Sequence, residues 1–181
     1  MQKSKLRKRI LKIREIKNNK DIKIKFDFIY ELIKKYKNKK VNIGGYYPVN
    51  NEVDDLSLLK ELEKKKYKIF LPIIKNKSRM EFYKWSFEDP LKLNKFGIPE
   101  PYKKKICVPD IVLVPLVAFD KKLNRLGYGG GHYDRYFYRI RKKKKVLKIG
   151  LAFNHQEIKK IPVNRYDQKL DYIVTNNSIL K

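Results

Sequence analysis

Four of the chain's eight glycines fall within five positions, in the run Asn124-Arg125-Leu126-Gly127-Tyr128-Gly129-Gly130-Gly131-His132-Tyr133-Asp134-Arg135. A residue without Cβ adopts positive φ at little cost and lets backbone N–H groups approach a ligand closely. A nearly continuous apolar run, Asp110 to Pro115, precedes this loop, and helical spacing follows it over 132–142. Strand, glycine loop and helix N-terminus together suit a phosphate, because the exposed N–H groups and the helix dipole both favour an anion. The flanks sharpen the chemistry. Arg125 offers a planar fork that pairs with phosphate in bidentate fashion, and Asp134 offers a hard oxygen for Mg²⁺, which takes one or two carboxylates beside phosphate oxygens and water. No Gly-Lys-Ser/Thr closes the loop, and Gly-x-Gly-x-x-Gly fails because position 132 is His. By itself the loop reads equally well as a tight structural turn.

Other chemically capable residues carry less information one at a time. Lys3 and Arg7 fit an ordinary solvated helix face, Glu52 a carboxylate at a helix start, and Asp167 a turn. A lone His155 and a lone Cys107 are more often packing or surface residues than catalysts, and Trp85 reads as a packed or edge aromatic.

Apolar periodicity supplies the elements that must hold these residues. Helices are expected over 3–18, around Leu6, Ile10, Ile13 and Ile16, and over 26–37, around Phe26, Ile29, Tyr30 and Ile33. A strand over 41–47 ends at Pro48, and Glu52, Asp54 and Asp55 precede a third helix carrying Leu56, Leu58, Leu59 and Leu62. Further strands are expected over 67–72, over 110–115, over 146–152 and over 171–175, with a more exposed one over 80–85. Residues 86–109, with four prolines, read as a long loop. Alternating strands and helices predict an α/β fold, a three-layer Rossmann-like domain with a mainly parallel sheet, in one domain spanning 1–181.

The net charge of +27 suggests a polyanion partner. Composition offers another cause. Phe, Tyr, Met, Ile, Asn and Lys, whose codons are rich in A and T, supply 94 residues against 27 from Gly, Ala, Arg and Pro, and Lys outnumbers Arg 37 to 9. That is how an AT-biased genome reads, and base recognition would favour the Arg fork over Lys. No specific nucleic-acid partner is expected. One cysteine excludes an intrachain disulfide and a cysteine-based zinc site, and a reducing, cytoplasmic setting fits. No signal-peptide core and no run of about 18 apolar residues occurs, so neither export by that route nor a membrane partner is expected.

The run from Asn124 to Arg135 closely resembles the signature of the 5-formyltetrahydrofolate cyclo-ligase family, and other segments match in order. Lys3-Ser4-Lys5-Leu6-Arg7 looks like its nucleotide-contacting first helix. Tyr46-Tyr47-Pro48 with Glu52-Val53-Asp54 is similar to its acidic folate-site motif. Phe96-Gly97-Ile98-Pro99-Glu100-Pro101 resembles its Ile-Pro-Glu-Pro element, and Leu151 to Gln156, Pro162, and Asp167 through Thr175 resemble its C-terminal block. His132 departs from the usual Tyr or Phe. The resemblance implies an enzyme that uses ATP and Mg²⁺ to cyclise 5-formyltetrahydrofolate to 5,10-methenyltetrahydrofolate, as a monomer. It implies Lys3, Arg7 and Arg125 on the ATP phosphates, Arg125 being catalytic, with Gly127, Tyr128, Gly129, Gly130, Gly131, His132 and Tyr133 as their cradle. Tyr47, Glu52, Tyr128 and His132 would contact the folate, and Asp134 and Asp167 would hold Mg²⁺.

Overall fold

The computed structural model describes residues 2–17, 22–36, 41–75 and 79–181. Among these the chain runs through α1 (Lys3–Ile16), α2 (Phe26–Lys34), β1 (Asn42–Gly44), α3 (Leu56–Lys64), β2 (Lys68–Ile74), β3 (Met80–Trp85), β4 (Leu91–Leu93), β5 (Pro99–Pro101) and β6 (Ile106–Cys107). It continues through β7 (Ile111–Pro115), β8 (Ala118–Phe119), β9 (Arg125–Leu126), α4 (His132–Ile140), β10 (Leu147–Leu151), β11 (Tyr172–Val174) and β12 (Ile179–Leu180).

Period-two burial along the strands explains the layering. Ile69 and Leu71, Ile111 and Leu113, and Ile149 and Leu151 pack with Ile29 and Leu32 of α2 and Leu59 and Leu62 of α3. Their neighbours Phe70, Val112, Val114 and Ile173 join Tyr136, Phe137 and Ile140 of α4 in a second cluster. Strands apolar on both faces need cover on both, which helix layers supply. The sheet order is β12-β11-β10-β7-β1-β2-β3-β6. The five strands from β11 to β2 pair in parallel, whereas β12, β3 and β6 are antiparallel additions at the edges. The fold is therefore α/β with a mainly parallel sheet.

Three features differ from the pattern read along the sequence. Residues 86–109 are not a plain loop: β4 and β5 form an antiparallel ribbon, and β6 extends the sheet beside β3. Pro99 and Pro101 are tolerated because a two-stranded ribbon leaves one side of each strand without a ladder partner. At its tip Asn94 Oδ1 accepts from Phe96 N and Ile98 N, and Gly97 takes φ +71°. Second, β3 is buried rather than exposed, because α4 covers it through Phe82 and Tyr136, with rings 5.2 Å apart, and Trp85 packs on Phe87. Third, β8 and β9 form a hairpin before the glycine loop that periodicity over two residues could not reveal. The expected ends of the first two helices, residue 18 and residue 37, lie outside the described residues.

Helix α1 packs Leu6 and Ile10 against Val117, Ala118, Leu126 and Ile161, beyond the end of β7. β1 lies between β2, which follows it directly, and β7, which the chain reaches only after crossing back. Strand order reverses there, and open α/β sheets leave a crevice at the carboxyl ends of the strands at such a switch point.

Because Leu59 is fully buried between α3 and the sheet, Leu59→Ala is expected to cost about 2–5 kcal/mol, and Leu93→Ala, on a side chain 70% exposed, about 0.5 kcal/mol or less. Urea unfolding of both variants checks this, and equal midpoints would contradict the layer assignment.

Candidate active site

The crevice is a cavity of about 1240 Å³, bounded by the segment after β1, by β2, by the tip of the β4–β5 ribbon and by the stretch from Arg125 to Arg135. One drug-sized ligand typically occupies about 300–1,000 Å³, so there is room for two ligands side by side. All fourteen residues singled out from the sequence line it: Lys3, Arg7, Tyr47, Glu52, Arg125, Gly127, Tyr128, Gly129, Gly130, Gly131, His132, Tyr133, Asp134 and Asp167.

Its cationic end is built around the glycine loop. Gly129 has φ +105° and Gly131, the residue capping α4, has φ +63°, conformations that side chains with Cβ disfavour. Close approach matters too. A Cβ on Gly129 would meet the Arg7 guanidinium at 3.3 Å, and one on Gly130 would strike the His132 ring at 2.8 Å. Arg7 Nε donates to Gly127 O at 2.8 Å, so α1 holds the loop from one side.

On the other side Arg125 is almost completely buried. It donates to Asp134 Oδ1 at 2.7 Å and to Gln168 O at 2.5 Å, and Gln168 N returns a hydrogen bond to the same Asp134 oxygen at 2.9 Å. Burial presses the Arg125 pKa downward, and the Asp134 carboxylate opposes it. Lys3 Nζ meets Asp167 Oδ2 at 2.6 Å, and Asn164 N donates to that oxygen as well.

No group of three or more His, Cys, Asp or Glu suited to a metal occurs among the described residues. The donor set fits Mg²⁺ nonetheless. Asp134 and Asp167 are two carboxylates on the cavity wall, both within electrostatic reach of Arg125, and Mg²⁺ is usually held by one or two carboxylates plus phosphate oxygens rather than by an all-protein cage.

Another part of the wall is aromatic and acidic. Tyr46 is buried, its hydroxyl donating to Val53 O at 2.7 Å, and Tyr47 and Tyr133 line the wall. Glu52 Oε2 accepts from Val49 N at 2.9 Å. Burial raises the Glu52 pKa to about 7, against the lowering effects of the Val49 hydrogen bond, of Arg14 and of the Tyr128 hydroxyl. Burial is also the main cause holding the Tyr128 hydroxyl protonated, with the Glu52 charge adding to it. His132 is pushed toward neutral imidazole by burial and by nearby Arg135.

Two features beside the expected residues carry no assigned role in the sequence. The ribbon tip, including Asn94, Phe96 and Ile98, reaches the cavity. Arg14 is 1% exposed and donates to Leu116 O and to the Tyr128 hydroxyl. A signal for it existed: Leu6, Ile10 and Arg14 recur every four residues, so the arginine occupies the buried stripe of α1.

The chain is similar to known proteins along most of its length. A family model described as "5-formyltetrahydrofolate cyclo-ligase family" matches residues 1–176. A Haemophilus influenzae protein named 5-formyltetrahydrofolate cyclo-ligase is 35% identical over 136 residues, which are 71% of this chain and 72% of that protein. An Escherichia coli protein of the same name is 29% identical over 76% of this chain and 79% of its own length. The NMR structure of Aquifex aeolicus 5,10-methenyltetrahydrofolate synthetase matches with a TM-score of 0.76 and 29% identity, over all of this chain and 93% of that one.

A buried acid whose pKa is raised binds protons more tightly in the folded than in the unfolded state. Its folded-state penalty therefore grows as pH rises from the ordinary glutamate value through about 7. Thermal unfolding from pH 5 to pH 8 should show wild type losing as much as about 3 kcal/mol relative to Glu52→Gln. A constant difference across that range would contradict the burial of an ionisable Glu52.

Proposed function

The chain belongs to the 5-formyltetrahydrofolate cyclo-ligase family, and from that membership we propose that it converts 5-formyltetrahydrofolate and ATP into 5,10-methenyltetrahydrofolate, ADP and phosphate. One observation carries the reading: a single cavity is lined both by the glycine loop with Lys3, Arg7 and Arg125 and by an aromatic, acidic set with Tyr46, Tyr47 and Glu52. Two unlike substrates can meet there.

The chemistry explains why a nucleotide is needed. The formyl oxygen on N5 leaves poorly. Its attack on the γ-phosphorus of ATP forms a C–O–P linkage, breaks the bond to ADP and makes the formyl carbon iminium-like. N10 then attacks that carbon and loses its proton, and the oxygen departs with phosphate, leaving the N5–CH–N10 bridge. The protein's task is to align the two substrates and to stabilise the charge of the moving phosphoryl group.

In this reading Lys3, Arg7 and Arg125 face the phosphates over the cradle from Gly127 to Tyr133. Arg125 acts from a fixed position, because Asp134 and Gln168 already orient its guanidinium. Asp134 and Asp167 would hold Mg²⁺, which when bound neutralises phosphate charge. Lys3 and Asp167 are already paired, so cation and carboxylate converge on the same place. Glu52 accepts from the nitrogen-rich edge of the pterin, while Tyr47, Tyr128 and His132 pack against its ring.

Product formation, followed by the absorbance of the methenyl compound, should require both ATP and Mg²⁺; equal conversion without nucleotide would overturn the assignment. Because removing one partner of the part-buried Arg125–Asp134 pair costs stability as well, Arg7 is the cleaner probe. Arg7→Ala is expected to raise KM for ATP about tenfold or more, since a charge-assisted hydrogen bond contributes about 1.5–3 kcal/mol. Lys143→Ala, at an exposed helix end, should stay within about twofold of wild type. Matching kinetics for the two variants would remove the phosphates from this loop.

A further inference from the structure

We propose that Arg14 is a positioning residue of the folate end of the cavity, holding the Tyr128 hydroxyl toward Glu52 and supplying the one positive charge that faces that carboxyl from α1. This rests on the reading of Glu52 as the pterin contact. The geometry is independent of it. Nη1 of Arg14 is anchored on Leu116 O at 3.3 Å, just past β7, and Nη2 donates to the Tyr128 hydroxyl, whose ring the guanidinium also overlies at 5.5 Å. Tyr128 and Glu52 line the same cavity and act electrostatically on one another. Leu116 O is further fixed by Gln156 Nε2 at 2.9 Å. The arginine is therefore pinned at its root and its charge is aimed.

A buried Arg on an otherwise basic, solvated helix needs a reason, because its desolvation is costly unless an acceptor or an anion compensates. Leu116 O and the Tyr128 hydroxyl are its acceptors, and Glu52 is a carboxyl within its electrostatic reach. The other groups facing Glu52 cannot take the role. Tyr46 and Asp55 from the segment after β1 and Tyr133 from α4 are each in electrostatic contact with it or with its neighbours. Burial raises the Asp55 pKa well above the ordinary carboxylate range, so it offers no positive charge, and the tyrosines are neutral while their own burial holds their protons on. Val49 N supplies one hydrogen bond and no charge. Beside the Val49 hydrogen bond, Arg14 is thus the charged group that favours the carboxylate over the carboxylic acid, and a carboxylate is what accepts from two pterin N–H groups at once.

The spacing on α1 gives the arrangement a second consequence. Arg7 and Arg14 lie seven residues apart, on one face, and bind successive residues of the loop, Gly127 O and the Tyr128 side chain. One rigid helix therefore sets the distance between the phosphate cradle and the pterin contact.

The test uses the full chain with ¹³C-labelled glutamate carboxyls, the Glu52 signal being assigned by its absence in Glu52→Gln. In wild type without ligand the signal should titrate with a midpoint near the value of about 7 that burial imposes. In Arg14→Met the midpoint should rise by about one pH unit, and Arg14→Lys should restore most of the difference. Tyr128→Phe, which keeps the packed ring, should raise it by a smaller amount and stands in if Arg14→Met does not fold. Calorimetric affinity for 5-formyltetrahydrofolate should follow the same midpoints: at pH 7.5 Arg14→Met should bind about threefold more weakly than wild type, and the gap should close by pH 9. An unchanged Glu52 midpoint in both Arg14→Met and Tyr128→Phe overturns the inference. A shifted midpoint with no binding of 5-formyltetrahydrofolate by wild type leaves the Arg14–Glu52 coupling standing and overturns the folate reading instead.

Discussion

The three-way closure of Arg125, Asp134 and Gln168 is the interaction on which the site depends. It joins β9 before the glycine loop, the first turn of α4 after it, and the segment leading to β11, through two hydrogen bonds from one guanidinium and a third from backbone. A loop with four glycines in five residues has little conformational preference of its own. Its shape must come from its ends. With one end fixed to α4 and the other held by Arg7 of α1, the loop presents its backbone to the cavity rather than collapsing into it. The cost is a buried ion pair, which contributes more to defining one arrangement than to net stability.

The opposite end of the cavity is governed by a conflict between burial and charge. In the proposed function this end takes a pterin, so it must exclude water to favour a flat heteroaromatic ring, yet Glu52 must be ionised there to accept from it. Burial raises the pKa to about 7, and Arg14 and Tyr128 pull it back without restoring the ordinary range. Above about 7 the folded state carries an expensive charge, and in the proposed function that same charge is the binding group, so stability and binding respond to pH in opposite senses. Asp55, fully buried with one oxygen lacking a partner, and the Tyr133 hydroxyl, likewise without one, show how far this end is desolvated among the described residues.

What could be read in advance follows from where the information lies. The layered fold was legible because Ile111 to Val114 and Ile69 to Leu71 are buried on both faces and leave a continuous apolar record. The glycine loop was legible because the chain is otherwise poor in glycine. By contrast, β4 and β5 pair through only three residues each, two of them prolines, and their pairing is a long-range fact with no local period. Met80 to Trp85 alternates like an exposed strand, yet its outward face is covered by α4, which follows some fifty residues later. Arg14 was hidden by composition: in a chain with 46 basic residues, one more on a basic helix looks solvated unless its place in the Leu6–Ile10 stripe is given weight.

The central claim is that one crevice, at the switch point between β1 and β7, receives both substrates at its two chemically different ends. Amide hydrogen exchange followed by mass spectrometry, with ATP and Mg²⁺, with 5-formyltetrahydrofolate, and with both, tests it most directly. Nucleotide should slow exchange in 3–7 and 127–134, folate in 46–53 and 128–133, and both together should protect the ribbon tip at 94–98 as well. Protection by either substrate confined to the opposite, amino-terminal edge of the parallel strands would contradict the account.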